Sequence, residues 1–453
     1  MNRFIRKFAG VPIVLAAALL LLGPTQAGAM IDGIEGPAFE LTAKTGYVSI
    51  PDGGSVFSWG FADTSAGGYD LMQYPGPTLI VNEGDSVTVA LKNDLVGVPV
   101  GIVFPGHQVT ASGGSPGALT REAPADGTTV VTYSFTADKP GTYTYYAGND
   151  LQVQMGLVGA IIVRPSLGME YAYNHASTRF DRETLFLITE MDPVIHELVE
   201  QGKADQVDLS NYWPVYWFFN GRAAPDTMVP AGVGWLPHQP YDCMPRMVPG
   251  DKFLIRTIGA GRDLHPFHHH GNHARIVAKD GRLLTSDSSV PSVGPDLALS
   301  VFTTLSVPGE TVDAIFEWTG KDMGWDIYGT PGADPAFAHN CNDVENNETG
   351  APTPDGFADA GSDHPYEWCA DHGKPLPVTL PGLQDVVFGG FYSGSPFLGV
   401  AGSVPPEEGG LNPNSGFVFM WHSHTEKELV NFDIFPGGMM TMLYVEPPGT
   451  EIP

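Results

Sequence analysis

The stretch PGPTLIVNEGDSVTVALKND, Pro75 to Asp94, sets the terms for this chain. It holds two runs of alternating apolar residues on either side of the turn Glu83-Gly84-Asp85. Alternation with a period of two marks a strand with one buried face and leaves no stripe for a helix. The design recurs. TTVVTYSFTADKPGTYTYYAG, Thr128 to Gly148, holds two more strands broken at Lys139-Pro140-Gly141, and GLVGAIIVRP, Gly156 to Pro165, reads as a buried strand. The 453 residues include 56 glycines and 40 prolines, which suits many turns rather than long helices. Short strands at regular spacing predict an all-β fold of the sandwich type.

From about residue 180 the pattern starts again. RETLFLITEMD reads as a strand. VPGDKFLIRTIGAG, Val248 to Gly261, repeats the strand, Gly-Asp turn and strand of VNEGDSVTVALKND. This echo predicts two copies of one sandwich, over residues 36–168 and 180–453. DPVIHELVEQGKA, Asp192 to Ala204, spaces its apolar residues for one short helix. Residues 328–415 are rich in Gly, Pro, Asp and Asn and read as a long loop-rich insertion in the second copy. GFVFMWHSH, Gly416 to His424, then resumes as a strand, and MMTMLYVEP is the last one.

Arg3, Arg6 and Lys7 precede an apolar run, Val11 to Leu22, that is too short to cross a bilayer, and Ala27-Gly28-Ala29 has the small residues of a cleavage site. Residues 1–29 therefore read as a secretory signal. The expected location is the periplasm, the extracellular space or the cell surface. No later run is long and apolar enough for a membrane helix, so stable membrane insertion is not expected. A formal net charge of −29 disfavours nucleic acid and anionic membranes and draws cations or a basic partner protein. Such acidity also serves solubility. Of the three cysteines, Cys341 and Cys369 share the loop-rich stretch, and export permits a disulfide between them. Cys243 is left as a free thiol, a metal ligand or a buried apolar residue.

Of the 14 histidines, seven fall in two clusters: HPFHHHGNH, His265 to His273, and the pair His422 and His424. On a strand, residues i and i+2 share a face, so His268 and His270 project together, as do His422 and His424. Imidazole suits copper, zinc, iron and nickel, so these pairs predict a metal site. His269 alternates to the opposite face. Ser423 has no glycine-rich elbow and points away from its flanking histidines, which argues against a serine nucleophile.

DLHPFHHHGNHARIVAKDGR resembles the third copper motif of multicopper oxidases, His-Pro-x-His-x-His-Gly. WHSHTEKE, followed by PGGM, resembles the fourth, His-Cys-His-x-x-x-His with a downstream methionine. PGPTLIVNEGDSVTVALKNDL and KPGTYTYYAGNDLQVQMGLVGAIIVRP resemble the first cupredoxin domain of that family. The resemblance covers nearly all of the chain beyond residue 29 except the insertion. It implies two cupredoxin-like Greek-key β-sandwich domains, copper as cofactor, and oxidoreductase activity on a metal ion or small reductant.

The resemblance also implies positions. The residues matching the family's type 1 copper ligands are His265, Ser423, Glu428 and Met439. A serine hydroxyl stays protonated near neutral pH and cannot supply the soft copper–thiolate bond, so no type 1 copper is expected. His265, Glu428 and Met439 are then candidates for an additional metal, a hard ion such as iron or manganese included. The family's trinuclear cluster takes four histidines from each half, and the second-half four match His268, His270, His422 and His424, with His270 and His422 sharing one metal. In the first half, Val103-Phe104-Pro105-Gly106 stands where the family has His-Trp-His-Gly, and Ala147-Gly148-Asn149 where it has His-Ser-His. His107 lies just beyond the first gap, and Asp150, Gln152 and Gln154 lie near the second. Met440 and Met442 read as core residues or thioether ligands. The expected cofactor is one or two coppers. Two functions stand: an oxidoreductase with a reduced histidine site, or a non-catalytic copper-binding or structural subunit. An electron-transfer or assembly partner and a homotrimer complete the expectations.

Overall fold

The computed structural model describes residues 31–319, 397–400, 415–446 and 450–452. The expected signal, the Cys341–Cys369 pair and all of the expected insertion except residues 397–400 and 415 lie outside them.

Strands Ile34–Glu35, Leu79–Asn82, Val158–Arg164, Gly141–Ala147 and Ile102–Val103 form one sheet in that spatial order. Ser55–Asp63, Ala38–Ser49, Ser86–Asn93, Val131–Thr136 and Thr110–Gly113 form the sheet facing it. The alternation in the sequence is what builds this sandwich. Val87, Val89 and Leu91 point inward from Ser86–Asn93 and meet Leu79, Tyr145 and Ile161 of the other sheet in one core. Both sheets mix parallel and antiparallel neighbours: Ala38–Ser49 runs parallel to Ser86–Asn93, and Leu79–Asn82 parallel to Val158–Arg164.

The second unit repeats the plan. Tyr216–Phe219, Arg182–Met191, Lys252–Gly259, Thr311–Glu317, Ala274–Lys279 and Arg282–Leu283 form a sheet, with Leu299–Val301 also paired to Ala274–Lys279. Facing it are Arg246–Met247, Met440–Val445, Ser415–Ser423, His265–His269 and Thr303–Ser306, with Phe397–Val400 also paired to Ser415–Ser423. Between the sheets lie Phe186, Trp217, Phe253, Phe267, Phe316, Trp421 and Leu443. The fold is all-β, two stacked sandwiches.

Val158–Arg164 is buried at every position. Ile161 and Val163 face the first core, while Val158 and Ala160 pack on Leu185, Leu187 and Ile258 of the second unit. Burial on both faces is why this stretch reads as a continuous apolar run rather than an alternating one. Charged groups also cross this interface. Glu183 pairs with Arg164 at 2.5 Å and with Arg256 at 2.8 Å, and Asp313 accepts from the hydroxyls of Thr142 at 2.6 Å and Tyr173 at 2.5 Å. Arg256 reaches to within 3.6 Å of Asp313.

The expected helix spans Pro193–Glu200, shorter at its C-terminal end than the apolar spacing suggested. Asp192 caps it by accepting from the Val194 N–H, proline occupies the first turn, and Gly202 at φ 71° turns the chain away.

Candidate metal centre

His265–His269 lies between Thr303–Ser306 and Ser415–Ser423 in one sheet. The register sets His268 opposite His422. Strand alternation then divides the residues by face. His268, His270, His422 and His424 share one side, while Phe267, His269, Trp421 and Ser423 face the core. The chain turns at Gly271, whose φ of 102° few side chains tolerate and whose absent Cβ lets Phe419 approach.

The ring nitrogens of His268, His270 and His422 converge, with ligand atoms of all three within 4.8 Å of one another. His270 Nε2 and His422 Nε2 are 3.0 Å apart. Two imidazole nitrogens about 2.0 Å from one ion, at an angle between square and tetrahedral, stand roughly 2.8–3.3 Å apart, so this spacing fits a shared metal. His268 is fully buried, His422 is 8% exposed and His270 9%. His424 is exposed, with its ring 4.9 Å from that of His268 and 5.7 Å from that of His422. It forms the solvent-facing edge of the cluster.

Neighbouring groups orient these rings. His422 Nδ1 lies 2.6 Å from the Ser423 carbonyl oxygen, which only accepts, so Nδ1 carries the proton and Nε2 presents its lone pair. His268 Nδ1 lies 3.0 Å from Thr303 Oγ1, and its buried Nε2 has no hydrogen-bond partner. Burial, reinforced by His422 and His424, holds His268 down to about 4. Burial also lowers His422, against the bond to the Ser423 carbonyl. Neutral imidazoles are the ligand form. His269 is fully enclosed, with its ring 4.7 Å from Phe267 and 5.1 Å from Trp421, and burial pushes it down to about 3.

The other candidates lie elsewhere. His107 sits in the first sandwich with its ring 4.5 Å from both Phe135 and Tyr143, and burial lowers it to about 4. The aromatic stack holds it in that core, and a single chain does not bring it to the histidine cluster. Asn149 caps a short helix, Asp150–Gln154, in which Gln152 donates to the Pro99 carbonyl at 2.8 Å. Cys243 is a buried free thiol that donates to the Phe219 carbonyl at 2.9 Å, and burial pushes it up.

The positions matched to type 1 ligands do meet, but as an ion cluster. His265 Nε2 lies 2.9 Å from Glu190 Oε2, and its Nδ1 lies 3.0 Å from Glu428 Oε2. Glu428 accepts from the Ser423 hydroxyl at 2.5 Å. Met439 is fully buried in the hydrophobic core of the second sandwich. Its neighbour Met440 pairs with His422 and so lies on the histidine face. Sequence reasoning missed two residues here, Glu190 and Thr303. The signal for Glu190 is a carboxylate inside the apolar run LFLITEM, which demands a buried partner. Thr303 carries no such mark.

Comparison with known proteins agrees with this architecture. The family profile described as "Multicopper oxidase" matches residues 69–167. An L-ascorbate oxidase of Cucurbita pepo var. melopepo is 36% identical over 115 residues, covering 23% of this chain and 19% of that protein. An iron transport multicopper oxidase of Epichloe festucae is 37% identical over 93 residues, covering 20% and 15%. These matches span about a fifth or less of the relatives' own length. The crystal structure of a blue copper oxidase from Nitrosomonas europaea superposes with a TM-score of 0.51 at 19% identity, over 90% of this chain and 85% of that one. That likeness is one of fold, and the fold is the cupredoxin sandwich. Residues 69–167 thus match the multicopper oxidase family, and the chain as a whole shares the fold of a solved copper oxidase.

Proposed function

We propose that this chain is an exported copper protein that holds one or two copper ions on His268, His270 and His422, with His424 at the rim, and oxidises a metal ion or small reductant. The carrying observation is the convergence of three imidazoles, two of them with nitrogens 3.0 Å apart. Bound copper would supply one-electron chemistry between its two common oxidation states. The protein's own part is to present neutral ring nitrogens in fixed directions. The Ser423 carbonyl and the Thr303 hydroxyl orient His422 and His268 from behind, as partners of metal-bound histidines do. Exposed His424 marks the side a reductant approaches. The acidic charge of −29 favours a cationic one. The proposal includes an electron-transfer or assembly partner and a homotrimer.

A second reading is a non-catalytic copper-binding or structural subunit. It is favoured by Ser423 in the cysteine position and by Val103 to Gly106 and Ala147 to Asn149, which supply no histidine from the first sandwich. Metal content per chain of the wild type and of His270→Ala and His422→Ala, with oxidation of ferrous iron, cuprous copper and a small organic reductant, separates these readings. Copper lost in the variants together with wild-type turnover supports the oxidoreductase. Copper lost without any turnover supports the binding protein. Metal content unchanged in both variants refutes the site.

A further inference from the structure

We infer that the position matched to the family's type 1 copper binds no metal in this chain and is closed instead by a carboxylate–imidazolium–carboxylate triad, Glu190–His265–Glu428. The three side chains are buried, with His265 1% exposed and Glu190 and Glu428 0% and 8%. His265 Nε2 faces Glu190 Oε2 at 2.9 Å. Its Nδ1 meets Glu428 Oε2 at 3.0 Å in an ion-pair contact. An ionised carboxylate oxygen only accepts. A ring lone pair pointed at either oxygen would repel it, whereas a proton on each nitrogen turns both contacts into attractions. Both lone pairs are thereby used, and none is left for a metal.

The surroundings agree. Glu190 Oε1 accepts from the Arg262 N–H at 2.5 Å, the Asp263 N–H at 3.1 Å and the Tyr212 hydroxyl at 3.0 Å. Glycine is needed at 261, because a Cβ there would lie 1.8 Å from Glu190 Oε2. Glu428 Oε2 is shared with the Ser423 hydroxyl. Among the described residues, only His268, His270 and His422 place one ligand atom from each of three metal-ligating groups within 4.8 Å of one another. Two buried carboxylates need a cation, and His265 supplies it. Burial alone would lower His265, but the bonds to Glu190 and Glu428 outweigh it and raise the group to about 9. The triad ties Arg182–Met191 to the start of His265–His269 and to the turn Glu426–Glu428. It cross-links the segments that a metal would otherwise join, and it does so whether or not the neighbouring histidines bind copper.

The test uses the full chain. Metal per chain is measured after loading with copper(II), zinc, manganese(II) or iron(II), for the wild type, His265→Gln and Glu428→Gln. The expected stoichiometry is equal in all three proteins for every ion. Loss of one ion per chain in either variant overturns the inference. Because a variant can fail to fold, long-range proton–nitrogen spectra of histidine-labelled wild type provide a second readout. His265 should carry protons on both ring nitrogens at pH 7 and keep them in excess zinc. A single proton, or loss of one on adding zinc, overturns the triad. Ser423→Cys with copper(II) is a third check. No intense thiolate-to-copper absorption is expected, and its appearance would show that the position still accepts a type 1 metal.

Discussion

Thr303 offers the sharpest probe of the histidine cluster. It pairs with His268 across neighbouring strands, with its Oγ1 3.0 Å from His268 Nδ1. That contact fixes the ring's rotation, and in the tautomer whose Nδ1–H donates to the hydroxyl the buried Nε2 keeps its lone pair for a metal. Thr303→Val retains the branched shape and deletes the hydroxyl. Losing an orienting partner of this kind weakens metal affinity roughly 10–100-fold. That corresponds to about 1.4–2.8 kcal/mol. Copper affinity measured by competition against a chelator should fall by that factor in Thr303→Val and recover in Thr303→Ser. Metal-free stability should change little, since the position is only half-buried. An affinity unchanged in Thr303→Val, alongside a loss in His422→Ala, would refute the reasoning. His268 would then be held by packing alone, for instance by Phe302, whose ring stands 5.5 Å away.

Arg256→Met should destabilise the fold by roughly 3–5 kcal/mol, because it leaves Glu183 and Asp313 buried with less compensation, and urea unfolding reads the loss directly. His196 is 1% exposed, and burial, opposed by its bond to the Phe57 carbonyl, lowers it from 6.5 to about 4. It carries no penalty above about pH 6.5; between there and about 4 the unfolded chain takes up a proton that the folded one refuses, so stability falls with pH by about 3 kcal/mol from this group. His196→Gln should flatten that part of the metal-free stability profile, and an unchanged slope would show the ring to be accessible to protons.

Much of this architecture is legible in local sequence. The alternation in Ser86–Asn93 and Val131–Thr136 names the inward residues, because side chains on a strand change face at every step. The same rule separates His268 and His270 from His269 before any fold is known. The helix after Asp192 is legible from its cap and proline, although its end is not, because Gly202 rather than the apolar spacing stops it. The type 1 position is only half legible. Ser423 rules out the thiolate, yet Glu190, which completes the substitute triad, lies 75 residues from His265 in the chain.

Several strands, the face each of their residues presents, and the pairing of His268 with His270 and of His422 with His424 on a shared face were legible in the sequence alone, since all follow from a two-residue period within one segment. What each imidazole does was decided by tertiary structure. The register that sets His268 against His422 and Thr303 arises from packing Phe267, Trp421 and Leu443 into a shared core. That register places a carbonyl behind one ring, a hydroxyl behind another and two carboxylates around a third. A histidine's role depends on which nitrogen holds its proton, and the hydrogen-bond partner that determines this comes from another strand or from the backbone geometry the fold imposes.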